Sequence, residues 1–423
     1  MLYNQFREFS PKVKYMVTVL MLSFITCSLS AQNTVSPYSI FGPGELHDKG
    51  FGVNQGMGGA GVALKSGGYI NILNPASLTG IDSMRIISEF GLSGKQYNLS
   101  SDKNTDRGFT ANLDHIGIGF RYTSWLAGSI GVMPFSSVGY TIEKTSYVNG
   151  TESAYLSTYQ GEGGISQFYF GNAVKLGKNY SFGANMSYMF GTLSQVENVS
   201  ATSLVPELEI DRFYYVRSLY FDFGLQYEKI KDGKQYLVGL TYAPKQWLRA
   251  KYVINIYDDD YSVVGTNEES DNHIAVPHSA AIGFGIVNPG KYKLALDYTF
   301  QNWSDVEYPL QDEDFEDLHR VVFGGEINPW EQRAINPLYK NMTYRFGLNY
   351  ERSYIHLNSN TIQEASLTLG VGIPLPGKIS NINFSVTGGV NGTTANNLVQ
   401  ERFLKFKLGF SLNEIAFMRR TID

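Results

Sequence analysis

The run Gly56-Met57-Gly58-Gly59-Ala60-Gly61 has the spacing G-x-G-x-x-G, and Asp82 follows at about the distance of a ribose-binding carboxylate. Dinucleotide chemistry of that kind needs a buried strand before the glycines and a helix after them. Neither pattern flanks this run, so the glycines read as part of a flexible segment. His47, His115, His273, His278, His319 and His356 stand at no spacing that would gather a metal with cysteines or carboxylates. His273 and His278 lie beside Asp258, Asp259, Asp260, Glu268, Glu269 and Asp271, where a weak divalent-ion site and a solvated loop are both open readings. No Ser-His-Asp constellation can be assembled. The expectation is a chain that is not an enzyme and carries no cofactor and no metal.

The elements that would position any site are strands. Hydrophobic residues make up 43% of 423 residues, yet no stretch after residue 31 has the roughly 18 unbroken apolar residues of a spanning helix. The 29 Tyr, 26 Phe and 44 Gly instead favour strands and turns. A net charge of −5 gives no basic field for nucleic acid. At the N-terminus, Lys12 and Lys14 precede an apolar run from Met16 to Cys27, then Ser28, Leu29, Ser30 and Ala31, the order of a secretory signal cleaved near Ala31. Cleavage there would leave no cysteine and so no disulfide framework.

From residue 84 onward apolar and small or polar residues alternate. Ile116, Ile118, Phe120 and Tyr122 oppose His115, Gly117, Gly119 and Arg121; Leu294, Leu296, Tyr298 and Phe300 oppose Lys293, Asp297, Thr299 and Gln301. Many such runs reach ten residues with aromatics near their ends, the length and girdle of strands crossing a bilayer, whereas strands of a soluble sandwich are shorter. Fourteen are expected, near 84–98, 108–123, 126–143, 162–177, 180–194, 212–229, 235–258, 276–287, 292–303, 318–328, 342–353, 365–374, 381–391 and 402–412, with 235–258 one strand bent at Pro244. The fold class is thus all-β: a transmembrane antiparallel β-barrel of about 14 strands. Gln195 to Asp211 and Asp258 to Ala275 are expected as outer loops, and both termini fall on the periplasmic side.

Residues 32–83 are different, being rich in glycine and poor in alternation. Such a segment cannot leave its backbone groups unpaired in lipid, so it must lie inside the barrel or in the periplasm. The chain therefore divides into a signal peptide (1–31), an N-terminal hatch or plug (32–83), the barrel (84–412) and a periplasmic tail (413–423).

The signal, the Gly-Gly-Ala-Gly-Val-Ala-Leu run at Gly58, the Asn74-Pro75-Ala76 that follows and fourteen strands together resemble the FadL family of outer-membrane channels for hydrophobic compounds. Ser36-Pro37-Tyr38-Ser39-Ile40-Phe41-Gly42 and the basic end at Arg419 and Arg420 are similar to a Bacteroidota-type branch. The resemblance implies an outer-membrane, porin-like barrel in contact with lipid, taking up small hydrophobic ligands passively. Its hatch, carrying the motif residues Gly58, Gly59, Gly61, Asn74, Pro75 and Ala76, would move, and ligand would leave through a wall gap at the third strand. Pro134 in that strand is a candidate for the opening because proline cannot donate to a ladder; Pro244 competes with it. The acidic residues of 258–271 speak against a fatty acid. Buried charges must pair, so inward-facing Arg121, Asp222, Arg320, Glu326, Arg345 and Glu351 are expected to anchor the hatch. The alternative is a non-transporting, PorV-like barrel subunit of an outer-membrane secretion or assembly complex, with protein partners instead of a ligand.

Overall fold

The structure, a computed structural model, describes residues 35–415 except 103, 149, 201–205, 307, 309–314, 331–335 and 376–379. The expected signal segment and the Arg419-Arg420 ending lie outside the described residues.

A short strand, β1 (Glu45–Leu46), precedes the wall: β2 (Arg85–Ser100), β3 (Thr105–Arg121), β4 (Leu126–Tyr147), β5 (Ala154–Leu176), β6 (Tyr180–Val199), β7 (Leu208–Lys231), β8 (Lys234–Ala243), β9 (Gln246–Tyr257), β10 (Val263–Val276), β11 (Ser279–Asn288), β12 (Tyr292–Gln301), β13 (Leu318–Ile327), β14 (Thr343–Leu357), β15 (Asn360–Pro374), β16 (Asn381–Asn391) and β17 (Gln400–Ile415). Neighbours are antiparallel, and β17 closes on β2, with Gln400 opposite Ser100 and Ile415 opposite Arg85. Pro244 separates β8 from β9, and Pro277 separates β10 from β11; each pair forms one bent stave, since β8 pairs with β11 and β9 with β10. Counted by staves, the barrel is closed and has fourteen strands.

Two expected loops are largely strand. Residues 195–199 continue β6, 208–211 begin β7, and 263–275 form β10 against β9. Their side chains are mostly polar on both faces because these hairpins reach beyond the lipid, so the pairing persists where the apolar alternation has stopped. The expected tail also starts later: Asn413, Glu414 and Ile415 still pair with Ile87, Ile86 and Arg85.

The alternation otherwise points as expected. Ile116, Ile118, Phe182, Phe221, Phe223, Phe284, Leu296, Leu348 and Leu404 are exposed on the outside, where the closed ring leaves a lipid-facing band without a free edge over most of its circumference. The opposite faces are small or polar. Ser129, Ser181, Asn185, Gln226, Asp297, Glu326 and Arg345 are buried because residues 35–83 fill the interior behind them. At the end of the barrel carrying the long hairpins, two apolar cores lie across the lumen. One gathers Val138, Tyr140, Ile165, Leu193, Val216 and Leu248; the other gathers Tyr38, Trp303, Phe315 and Tyr354, with Trp303 stacked on Tyr354 at 4.1 Å. Tyr308 packs against both.

Candidate functional site

The N-terminal segment can lie flat on the wall because the wall offers glycines where its backbone touches. A Cβ on Gly183 would stand 2.4 Å from the Ala76 nitrogen, one on Gly224 2.0 Å from Asn74 Oδ1, one on Gly239 2.2 Å from the Val62 oxygen, and one on Gly347 2.4 Å from the Gly58 nitrogen. Gly58 and Gly59 themselves have φ of 71° and 93°, the left-handed region that side chains disfavour. Asn74 is the hub. Its Nδ2 donates to the carbonyls of Val62 (2.9 Å), Leu225 (3.3 Å) and Leu240 (3.3 Å), while its Oδ1 accepts the Ala76 N–H at 3.0 Å and so caps the short 3-10 turn Pro75–Gly80. Pro75 at the first position of that turn has no N–H to satisfy.

Four of the six charged residues expected as anchors touch this segment directly. Arg121 Nη1 donates to the Ile81 carbonyl at 3.1 Å. Asp222 accepts from Lys49 Nζ at 2.9 Å and from Asn185 Nδ2 at 3.0 Å. Arg320 pairs with Asp48 and donates from Nε to Asn349 Oδ1 at 2.7 Å. Arg345 lies under Gly56, where an added Cβ would come within 3.1 Å of its Cδ. The other two, Glu326 and Glu351, act at one remove. Glu326 holds Arg345 Nε at 2.7 Å and Lys293 Nζ at 2.8 Å, and Glu351 lies 3.8 Å from Arg320 Nε. Burial would raise the Asp48 carboxyl, but the Arg320 guanidinium holds it well below the usual carboxylate range. Burial opposes the charge on Lys49, and Asp222 outweighs it, raising the ammonium above its ordinary value.

Further contacts could not be read from residue types. Asp297 Oδ2 accepts the N–H groups of Gly61 (2.6 Å) and Val62 (2.9 Å), so the second half of the glycine run sits on a wall carboxylate. Alternation turned Asp297 inward, but only the fold names its partner. Phe51 stacks on His115 at 3.9 Å with the rings 3° from parallel, and Gln55 donates to Asp114, a bulge residue of β3. The G-x-G-x-x-G run is thus consumed in packing, and Asp82 pairs with Arg85 at 2.9 Å. Among the described residues no three His, Cys, Asp or Glu side chains are arranged to hold a metal. His273 faces Arg249 across the β9–β10 ladder, while His278 bonds Tyr242 Oη at 3.0 Å, so the two do not form a common site.

Among the described residues, two adjacent staves part between β3 and β4. β3 and β4 pair only from Arg121 opposite Ala127 to Ile116 opposite Val132. Beyond that point β3 continues to Thr105 beside β2, and β4 continues to Tyr147 beside β5, with a bulge between Pro134 and Ser136. Past the bulge the in-out alternation of β4 lapses: Ser136, Ser137, Val138, Gly139 and Tyr140 are all buried. The N-terminal segment covers this inward-turned edge. Glu45 and Leu46 of β1 pair with Ser137 and Ser136, the His47 N–H donates to the Phe135 carbonyl at 2.9 Å, and the Ser36 N–H donates to the Gly139 carbonyl at 2.8 Å. His47 Nε2 is 2.8 Å from Ser137 Oγ, and burial pushes its imidazole below the ordinary value.

A cavity of about 220 Å³ lies in this seam, bounded by Leu113, Asp114, His115, Val132, Pro134, Ser136 and Ser166, with His47 at its inner side. His47 and Asp114 also border a chamber of about 220 Å³ inside the barrel, lined by Lys95, Lys405, Lys407 and Arg320 and by Glu45, Asp48, Glu351 and Glu364. Lys95 pairs with Glu401 at 2.5 Å and Lys407 with Asp114 at 3.7 Å. Pro244 is placed differently. It interrupts the eighth and ninth segments of one stave, but β7 pairs with both, up to Phe223 opposite Tyr242 and again from Val216 opposite Ala250.

Solved structures share this architecture. The toluene transporter TbuX of Ralstonia pickettii is 16% identical, with 86% of this chain and 98% of that one covered and a TM-score of 0.57. The toluene transporter TodX of Pseudomonas putida is 15% identical over 88% and 100% of the two chains, also at 0.57. A Pseudomonas aeruginosa FadL homologue is 12% identical over 89% and 100%, again at 0.57. At these identities the likeness is one of fold. No curated protein matches the sequence. The FadL resemblance therefore stands as a shared barrel, whereas a sequence profile assigns the chain more narrowly: it matches residues 12–423, nearly the whole length, and on that match the chain belongs to the BamG family.

Proposed function

We propose that this protein is an outer-membrane channel in which residues 32–83 act as a hatch and the seam between β3 and β4 is a lateral exit. The observation that carries the reading is the end of the β3–β4 ladder at Ile116 and Val132, next to Pro134, with one cavity in the seam and a chamber behind it. His47 and Asp114 border both spaces, so a small shift of residues 45–48 joins them. The motif residues Gly58, Gly59, Gly61, Asn74, Pro75 and Ala76 hold the hatch to the wall, and Arg121, Asp222, Arg320 and Arg345 fix its edge. TbuX and TodX are named as toluene transporters, and small hydrophobic molecules are the ligand class extended from them to this chain. The charged chamber suits members of that class that carry a polar group. Proteoliposome uptake of a small aromatic alcohol tests the reading: wild type should admit it, and a hatch locked to the wall by a disulfide should not. Equal uptake by both, or uptake by neither, would remove it.

A second reading has its own observation. The mouth is crossed by the Trp303, Phe315 and Tyr354 core, and the hatch backbone is seated directly on wall glycines; both favour a barrel that holds its plug fixed. In that reading the chain is a non-transporting subunit of an outer-membrane secretion or assembly complex. Absence of uptake together with a stoichiometric protein partner in mild detergent would favour it.

A further inference from the structure

The two edges exposed by the seam are not equivalent. The edge of β4 beyond Pro134 turns inward and receives the chain's own strand: β1 pairs with Ser136 and Ser137, and Ser36 and His47 extend the contact on either side. The edge of β3 stays in the wall. Phe109, Leu113, Ile116 and Ile118 are exposed apolar side chains along it, which span the nine to eleven residues or so that a strand needs to cross the bilayer. The β4 partner accompanies only the inner part of that span, up to Ile116. Among the described residues no strand lies beside the outer half of β3 on that side.

Backbone N–H and C=O groups at bilayer depth have no water to bond, and each group left unsatisfied costs several kcal/mol. A small hydrophobe in the cavity removes none of that cost, because it offers neither donors nor acceptors at strand spacing. An extended polypeptide offers both, and strand addition to an open sheet edge is an established way of binding one. The neighbouring edge of the same seam already binds a segment in this manner, through β1.

We propose that the outer half of β3 is a strand-capture site, and that its occupant is an amphipathic β-strand of another polypeptide, apolar on the side facing lipid and polar towards Ser136 and Ser166. The proposal uses the seam invoked above as an exit but not the transport of any small molecule.

A peptide of residues 403–412, Phe-Leu-Lys-Phe-Lys-Leu-Gly-Phe-Ser-Leu, serves as the probe because it is amphipathic in the required sense. Binding to the full-length barrel in lipid nanodiscs would be read by fluorescence anisotropy, and amide exchange of residues 105–115 would be followed in the same samples. The expected result is saturable binding, at least tenfold weaker for a peptide N-methylated at alternate backbone nitrogens and for one of the same composition with the alternation broken. The amides of 109–115 on the edge away from β2, which open onto the seam cavity, should exchange more slowly with peptide than without it, while 86–92 stays unchanged. Equal binding of all three peptides, or no slowing by peptide of the 109–115 amides on the edge away from β2, would overturn the proposal. Uptake measured in parallel separates the two readings: normal uptake without strand capture refutes this inference alone, and strand capture without uptake refutes the channel alone.

Discussion

The side-chain amide of Gln246 makes both backbone hydrogen bonds of Phe221, accepting the N–H at 2.8 Å and donating to the carbonyl at 2.9 Å. It stands in for the ladder that Pro244 interrupts, and so the wall there is mended by a side chain. At Pro134 the cover comes from the N-terminal segment and reaches β4 only.

Replacing Gln246 by alanine should therefore open a second break. Two backbone groups of Phe221 lose their partners at a lipid-facing position, a loss of about 1–3 kcal/mol. Urea unfolding in detergent should show it, and amide exchange at Phe221 should rise while that at Phe223, paired with Tyr242, does not. An unchanged unfolding midpoint would mean the side-chain bonds contribute nothing.

The glycine contacts give a sharper contrast. Gly224→Ala places a methyl 2.0 Å from Asn74 Oδ1, whereas Gly388→Ala meets only the Leu404 Cδ2 at 3.4 Å. The first should cost about 1–3 kcal/mol through forced displacement and make residues 60–80 accessible to protease; the second should leave both stability and protease resistance as in wild type.

Glu326 and Arg345 are each about 5% exposed and 2.7 Å apart, with Lys293 on the other carboxylate oxygen. Glu326→Ala leaves the buried Arg345 without its carboxylate and facing a half-buried Lys293, with an expected loss of about 3–5 kcal/mol. The heat-modifiable mobility of the folded barrel on a gel should shift to lower temperature. Glu351→Ala, beside a more exposed Arg320 that keeps Asp48, should shift it far less.

The cover over β4 should loosen in mild acid. Burial lowers the His47 imidazole from its ordinary 6.5, so the folded state favours the neutral ring. Stabilisation from this group is complete above about 6.5 and is lost as pH falls through the depressed value. Asp48, held well below the usual carboxylate range by Arg320, stays ionised across that window and adds no slope. Protection factors at 45–47, exchange rates corrected for the intrinsic pH dependence, should fall between pH 7 and pH 5 in wild type and stay flat in His47→Gln.

Period-two alternation fixed the face of each strand from residue types alone, because one side meets lipid and the other meets packed protein. Arg121, Asp222, Arg320 and Arg345 could be placed inward on that basis. Alternation could not extend to β10, whose Glu268 and Glu269 face water, nor to the outer half of β4, where Ser136 to Tyr140 are covered on both sides. It also carried no information on partners. Lys49 meets Asp222 across 173 positions of sequence, and Asp297 meets Gly61 across 236; such pairs depend on how the N-terminal segment is threaded. The proline in the third stave was legible as a weak point, but the single inner-half ladder of β3 and β4 was not, since Leu113 and Phe109 continue the apolar pattern past the place where pairing ends.

Cysteine pairs across the seam, oxidised in native outer membranes, test the central claim most directly. Ile118→Cys with Ile130→Cys and Ile116→Cys with Val132→Cys face each other in register and should link within minutes. Leu113→Cys with Phe135→Cys and Phe109→Cys with Gly139→Cys, the positions an uninterrupted ladder would bring together, should stay reduced. Efficient linking of those outer pairs would mean a continuous wall, with neither an exit nor a free strand edge.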